Sequence, residues 1–178
     1  MTKLVILDRD GVINYDKKDY IKSPEEWHPI PGSLEAIATL NAQGFRVAVA
    51  SNQSGIARGL FSEKTLDAIH QKMYKALAQV GGKIDFIAYC PHLPEDLCLC
   101  RKPNPGMLYE IARYFHCDLN RVPFVGDKMS DVLAAEAVGA TPIWIGTLGT
   151  ADLKRSERAF YTCSDLNEAV TLIIRQLS

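Results

Sequence analysis

Leu4-Val5-Ile6-Leu7 is an apolar run with no polar interruption, closed at once by Asp8-Arg9-Asp10-Gly11. A run so short and so uniformly apolar leaves no face for solvent, which suits a strand covered on both sides of a parallel sheet. The theme repeats along the chain, with residues 45–50, 84–89, 122–125 and 142–145 reading as four more strands. Segments of helical period lie between them. Ser33 is a candidate N-cap for a helix carrying Leu34, Ile37, Ala38 and Leu40, and Ser62 for one carrying Leu66, Ile69, Met73, Leu77 and Val80. Asn104-Pro105 opens a helix reaching residue 115, and residues 131–138 form a short one. A last amphipathic helix carries Leu166, Ala169, Val170, Ile173, Ile174 and Leu177. Strands alternating with helices predict an α/β fold, a Rossmann-like parallel sheet with helices on both faces.

A chain of 178 residues suits a single domain over residues 1–178. Twenty basic against twenty-one acidic side chains, a net charge of −1, provide no global field to draw nucleic acid or an anionic membrane surface, and neither partner is expected. The apolar run near the N-terminus is too short for a signal-peptide core, and no stretch approaches the ~20 apolar residues of a membrane span. A cytoplasmic setting is expected. No coiled-coil pattern or large apolar patch stands out, so a monomer is expected.

In such sheets ligands bind beyond the carboxyl ends of the strands, so the polar residues after each apolar run are the candidate site. Asp8 and Asp10 follow the first run, and Ser51-Asn52-Gln53-Ser54-Gly55 the second. Arg101-Lys102-Pro103 lies downstream of the third, and Gly126-Asp127-Lys128-Met129-Ser130-Asp131 follows the fourth. Together they place carboxylates, a hydroxyl and a lysine on one rim. Phosphoryl transfer needs that set: a nucleophile, a proton donor, a hard-cation site and positive charge on the phosphate oxygens. Ser51 and the amides of Asn52 and Gln53 are candidates for holding those oxygens, and Lys102, stiffened by Pro103 and Pro105, for neutralising them.

Before Lys102 the chain reads CPHLPEDLCLC. A disulfide there would leave an odd cysteine, and the redox spacing CxxC is absent. Cys90, His92, Cys98 and Cys100 offer four ligands that Zn²⁺ takes tetrahedrally, and four protein ligands close its shell. The expected role is a structural Zn²⁺ that staples the loop and aims Arg101 and Lys102.

The order DxDG, Ser-Asn, Lys-Pro and GDxxxD resembles the haloacid dehalogenase superfamily of phosphatases. More closely, LDRDGVIN, SNQSGIARG, the CxH…CxC loop, CRKPNPGM and VGDKMSD are similar to the branch that heptose 1,7-bisphosphate phosphatases share with histidinol-phosphate phosphatases. The likeness runs from residue 4 to about 146. It implies that Asp8 is the nucleophile and Asp10 the general acid and then base. It also implies that Asp8, the Asp10 carbonyl and Asp127 hold a catalytic Mg²⁺. Asp131 would orient waters or Lys128, or would be an exposed first-turn aspartate favoured by the helix dipole.

The implied activity is hydrolysis of a small phosphosugar at its C7 phosphate, feeding heptose into cell-envelope glycans, with histidinol phosphate as the alternative substrate. Asp16, Lys17, Lys18, Asp19 and Tyr20 follow the nucleophile motif and, with Ser54, Arg58, Arg101 and Lys128, are expected to contact the substrate. The stretches after the first two strands leave no room for a large cap domain. A zinc-clipped binding protein without catalysis is the reading from another class, and a nucleic-acid 3′-phosphatase is disfavoured by a pI near 6.4.

Overall fold

The computed structural model describes residues 3–147 and 160–177. Six parallel strands, β1 (Leu4–Leu7), β2 (Arg46–Asn52), β3 (Phe86–Cys90), β4 (Pro123–Gly126), β5 (Thr141–Ile145) and β6 (Tyr161–Cys163), lie in the order β3-β2-β1-β4-β5-β6. The helices are α1 (Ser33–Ala42), α2 (Glu63–Gln79), α3 (Gly106–Phe115), α4 (Met129–Ala137) and α5 (Leu166–Leu172), the last continuing as a wider π turn over Ile173–Leu177.

The two-residue period of each strand sorts its side chains between two cores. Val5, Leu7, Val47, Val49, Val125, Ile143 and Ile145 face α1, α2 and α5. Leu4, Ile6, Ala48, Ala50, Ala88 and Phe124 face α3 and α4. All four residues of β1 are buried, as the opening apolar run requires. At ~25 cal/mol per Å², each fully covered Ile or Leu contributes roughly 1.5–3 kcal/mol.

Two expected caps turn out otherwise. Ser33 is the first residue of α1, after Gly32 at φ +82, and its hydroxyl donates to the Ile13 carbonyl at 2.6 Å, tying the β1 loop to the helix. Asn104 donates through Nδ2 to the Cys98 carbonyl at 2.8 Å and so holds the cysteine loop, while Pro105 stands at the head of α3. Ser62 caps α2 as expected, accepting from the Thr65 amide. The sixth strand was not expected, because Tyr161-Thr162-Cys163 is too short to show a period.

The loop after β1 folds back on the body and carries one 3-10 turn, Pro24–Glu26. Trp27 is buried there, and Lys72 of α2 donates to the carbonyls of Pro24 and Trp27 at 2.6 and 2.9 Å. Among the described residues no helix is long and apolar enough to cross a membrane.

Candidate active site

The rim begins where β1 ends. The Asp8 amide donates to the Val125 carbonyl at 2.8 Å, so the β1–β4 ladder holds the backbone on which Asp8 stands. Asp8 is buried, and its Oδ1 accepts from the Arg9 amide at 2.7 Å. Gly11 sits at φ +85, and a Cβ added there would strike the Asp127 carboxylate. Glycine in the DxDG motif therefore lets β1 and β4 bring their acids together.

Lys102 reaches the same point from the far side. It is 3% exposed, and its ammonium lies 3.1 Å from Asp8 Oδ1, 2.6 Å from Asp131 Oδ1 and 2.6 Å from the Ala50 carbonyl. The ammonium is thus held among three different parts of the fold. Its backbone is clamped by the Asn52 side chain, which donates to the Lys102 carbonyl and accepts from its amide, both at 3.1 Å. Asn52 thus positions the lysine. Asp131 is no exposed helix-dipole residue: it is 2% exposed, pairs with Lys102, and accepts from the Lys128 amide at 3.0 Å.

Asp10 is fixed by a separate network. Arg9 Nε and Nη2 reach its two oxygens at 3.0 and 3.1 Å, Asn14 Nδ2 at 2.8 Å and Gln53 Nε2 at 2.8 Å. Gln53 Nε2 also donates to Ser51 Oγ at 2.8 Å, joining the buried Ser51 to the acid. One expectation changes here. The Gln53 amide is committed to the Cys90 carbonyl at 2.7 Å and is not available to a phosphate oxygen; the side chain links Asp10 to Ser51.

The charges respond to this crowding. Burial, against the pull of Lys102 and helped by Asp131, Asp127 and Asp10, lifts the Asp8 carboxyl to about 7. Burial likewise lifts Asp127 to about 6. Burial also acts to raise Asp10, but the Arg9 charge and the Asn14, Gln53 and Arg9 hydrogen bonds hold it below the ordinary carboxylate value. Lys102 stays a cation, because Asp131 and Asp8 outweigh its desolvation.

Carboxylate oxygens of Asp8, Asp127 and Asp131 lie within 4.8 Å of one another, and the buried Asp127 Oδ1 has no hydrogen-bond partner. Hard oxygen donors in that arrangement fit Mg²⁺, which takes few protein ligands and keeps waters. Asp8 and Asp131 share Lys102 as a counter-ion, and each of the three acids has an oxygen close enough to join such a site. With its side chain committed, Asp10 could add only its carbonyl.

The cysteine loop closes on itself in the same region. Among Cys90, Cys98 and Cys100 Sγ and His92 Nδ1, every pair but His92–Cys98 lies at 3.2 to 3.6 Å, and all four atoms lie within 4.8 Å of one another. Ligands roughly 2.3 Å from a tetrahedral zinc lie roughly 3.8 Å apart, so these four atoms fit that ion with a slight expansion. Arg101 Nη1 approaches the His92 carbonyl at 3.4 Å, so the loop leads directly to Lys102.

The expected substrate residues divide. Tyr20 accepts from Arg58 Nε at 2.8 Å and meets Ser54 Oγ at 3.2 Å, and the charges of Arg58 and Arg101 both act on its hydroxyl. Lys128 pairs with Asp16 at 2.9 Å, bridging the loops after β1 and β4. Lys17 turns to Glu26 at 3.5 Å, while Lys18 and Asp19 are exposed. A cleft of about 480 Å³, walled by Pro103, Asp127, Lys128, Met129, Leu133 and Trp144, opens beside the acids.

Three site residues carried no expectation of this role. Arg9, between the two acids, points inward and is fully buried. Asn14 is buried against Asp10, four residues away. His70 contacts Arg9 from α2. Its signal was present: His70 falls four after Leu66 and three before Met73, on the apolar stripe of that helix.

The HAD-hydrolase-like family model matches residues 99–169. A D-glycero-β-D-manno-heptose-1,7-bisphosphate 7-phosphatase of Bordetella bronchiseptica is 54% identical over 147 residues, 83% of this chain and 82% of that protein. The enzyme of the same name from Pseudomonas putida is 55% identical over 145 residues, 82% and 83% of the two chains. The solved D,D-heptose 1,7-bisphosphate phosphatase of B. bronchiseptica, complexed with magnesium and phosphate, superposes with a TM-score of 0.92 at 47% identity, covering 98% of this chain and 99% of that one. With this identity over most of both lengths and one fold throughout, the chain belongs to the haloacid dehalogenase-like hydrolases, in the heptose-1,7-bisphosphate 7-phosphatase family.

Proposed function

We propose that the chain is a Mg²⁺-dependent phosphatase that removes the C7 phosphate of D-glycero-β-D-manno-heptose 1,7-bisphosphate through an aspartyl-phosphate on Asp8. The observation that carries the reading is the ammonium of Lys102, 3.1 Å from the Asp8 carboxylate on a rim where Asp127 keeps an unpartnered oxygen. The names of the relatives supply the sugar and its β anomer.

Asp8 attacks phosphorus, the bond from phosphorus to the C7 oxygen breaks, and Asp10 gives its proton to that leaving oxygen. Water then attacks the acyl-phosphate and passes a proton to Asp10, which frees phosphate and restores Asp8. Arg9, Asn14 and Gln53 hold Asp10 as a carboxylate, its base state, and an arriving phosphate dianion favours the protonated form the first step uses. Ser51 and Lys102 hold the phosphoryl oxygens. Mg²⁺ held by Asp8, Asp127 and the Asp10 carbonyl supplies the charge that offsets repulsion between these acids and the phosphate. Zn²⁺ in the loop of Cys90, His92, Cys98 and Cys100 has a structural role.

Tyr20, Ser54, Arg58 and Arg101 face the sugar end, with Asp16 and Lys128 bridging across the rim. Lys17, Lys18 and Asp19 are exposed on the same loop, open to a charged ligand. The chain works as one domain and a monomer in the cytoplasm, preparing heptose 1-phosphate for nucleotide activation and cell-envelope glycans.

The test is Mg²⁺-dependent phosphate release from the two heptose 1,7-bisphosphate anomers and from histidinol phosphate at equal concentration. The β anomer should give the highest kcat/KM, and preference for histidinol phosphate would overturn the substrate. Asp8→Asn should fold with an unchanged circular-dichroism spectrum and release no phosphate.

A further inference from the structure

We infer that His70 is a positioning residue for Asp10, acting through the buried guanidinium of Arg9; the inference rests on the acid–base role of Asp10 proposed above. Arg9 is wholly buried, and a guanidinium has five N–H groups and no acceptor. Its Nε and Nη2 grip the Asp10 carboxylate at 2.9 to 3.1 Å. The remaining edge, Nη1, lies 3.3 Å from His70 Nε2. Because arginine can only donate, this contact requires a lone pair on Nε2, so His70 is neutral with its proton on Nδ1. Burial, then the Arg9 charge, keeps the ring in that form, lowering it to about 3 against the pull of Asp10.

The support behind the imidazole is rigid. His70 stands between the buried Ile69 and Met73 on the seventeen-residue α2, and its ring meets the edge of Tyr89 at a centroid distance of 6.5 Å. A path of direct contacts therefore runs from α2 through His70 and Arg9 to Asp10. Without His70, Nη1 would face a dry interior without its acceptor, and the fork would be free to turn away from the carboxylate. Asn14 and Gln53 would still hold Asp10, so the effect should be partial.

The chemistry supplies a selective readout. In the first half-reaction the Asp8–phosphorus bond forms, the bond from phosphorus to the leaving oxygen breaks with its electron pair on that oxygen, and the Asp10 proton goes there. A sugar alkoxide needs this proton; p-nitrophenolate, a weak base, leaves without it. The ratio of kcat/KM for heptose 1,7-bisphosphate to kcat/KM for p-nitrophenyl phosphate thus reports proton delivery. A merely structural lesion lowers both constants together.

His70→Ala should lose roughly tenfold to a hundredfold on the sugar substrate, part of the ~10²–10⁴ that acid–base catalysis supplies, and less than about threefold on the aryl phosphate. His70→Gln, whose Oε1 can accept from Nη1, should recover most of the loss, whereas His70→Phe, which fills the space without an acceptor, should not. Should the alanine variant fail to fold, the glutamine and phenylalanine variants make the same comparison. Equal losses on both substrates in a variant lacking the acceptor would overturn the inference. Asp10→Asn keeps the two levels apart. If Asp10→Asn lowers both substrates equally, the proton-donor reading of Asp10 fails; if it is selective while the His70 variants are not, only the role of His70 fails.

Discussion

Replacing Lys102 with methionine tests how much of the site depends on one cation. The stem keeps its length, while the charge that pairs with Asp8 and Asp131 and the donor to the Ala50 carbonyl disappear. Loss of a preorganised donor beside the transferring phosphoryl group costs ~10²–10³ in kcat, about 2.7–4 kcal/mol. The stability effect is separate. Orphaning a buried charge costs roughly 3–5 kcal/mol while it stays ionised. Asp8, already lifted to about 7, escapes part of this by taking up a proton, so the net loss near pH 7.5 should be about 2 kcal/mol. The sign with pH follows. Carboxyls raised in the folded state bind more protons than in the unfolded chain, so the deficit of the variant shrinks as pH falls from 7.5 to 6. Saturating Mg²⁺ should shrink it too, by neutralising the same acids. The assays are kcat on heptose 1,7-bisphosphate and melting temperature at both pH values, with and without Mg²⁺. A kcat within tenfold of wild type, or a deficit that widens at pH 6, would refute the reasoning.

Other outcomes follow from the same geometry. Cys100→Ala should lose bound zinc by atomic absorption and at least about tenfold in kcat, because the loop that aims Lys102 loses a ligand, and added Zn²⁺ should not replace Mg²⁺ in turnover. Full activity in a zinc-free preparation would disprove that coupling. Ser62→Ala removes the α2 cap and should cost about 1 kcal/mol in urea unfolding with kcat unchanged. His70 contributes stability that is present above its unfolded pKa of 6.5 and lost as pH falls toward about 3, because the unfolded ring binds a proton that the folded one refuses. By pH 5 that loss is about 2 kcal/mol, so the stability gap between wild type and His70→Gln should narrow by about that amount between pH 7.5 and 5. A gap that stays constant would rule out a buried neutral imidazole.

The strands were legible because β1, β2, β4 and β5 are apolar on both faces, and their carboxyl ends pointed to Asp8, Ser51 and Asp127 without any coordinates. The partners of those residues were not legible. Spacing brings Asp8 and Asp10 to one side, but Arg9 between them could face solvent or the interior, and only packing decides. Ser33 and Asn104 are cap-type residues at helix starts, yet their side chains donate to carbonyls of the β1 loop and the cysteine loop. Asp131 read equally as a group orienting waters or Lys128 and as an exposed first-turn residue, and Lys102, distant in sequence, is its buried counter-ion. Long-range pairing of buried charges leaves no local pattern.

The strand order has a consequence for the chain as it is being made. Of the six described strands β1 emerges before the others, yet it lies in the middle of the sheet, flanked by β2 and β4. Once residues 4–90 have emerged, β3, β2 and β1 can assemble, but the inner edge of β1 stays open until residues 123–126 arrive. For that interval the nascent protein displays an unpaired, wholly apolar strand, the form of edge most prone to join another chain. The acid that will attack phosphate stands at the end of that open edge, and Asp127 and Asp131 emerge with the strand that closes it. Docking of β4 therefore completes the acidic rim and covers β1 at once, while the open apolar edge passes to β4 until residues 141–145 pair with it.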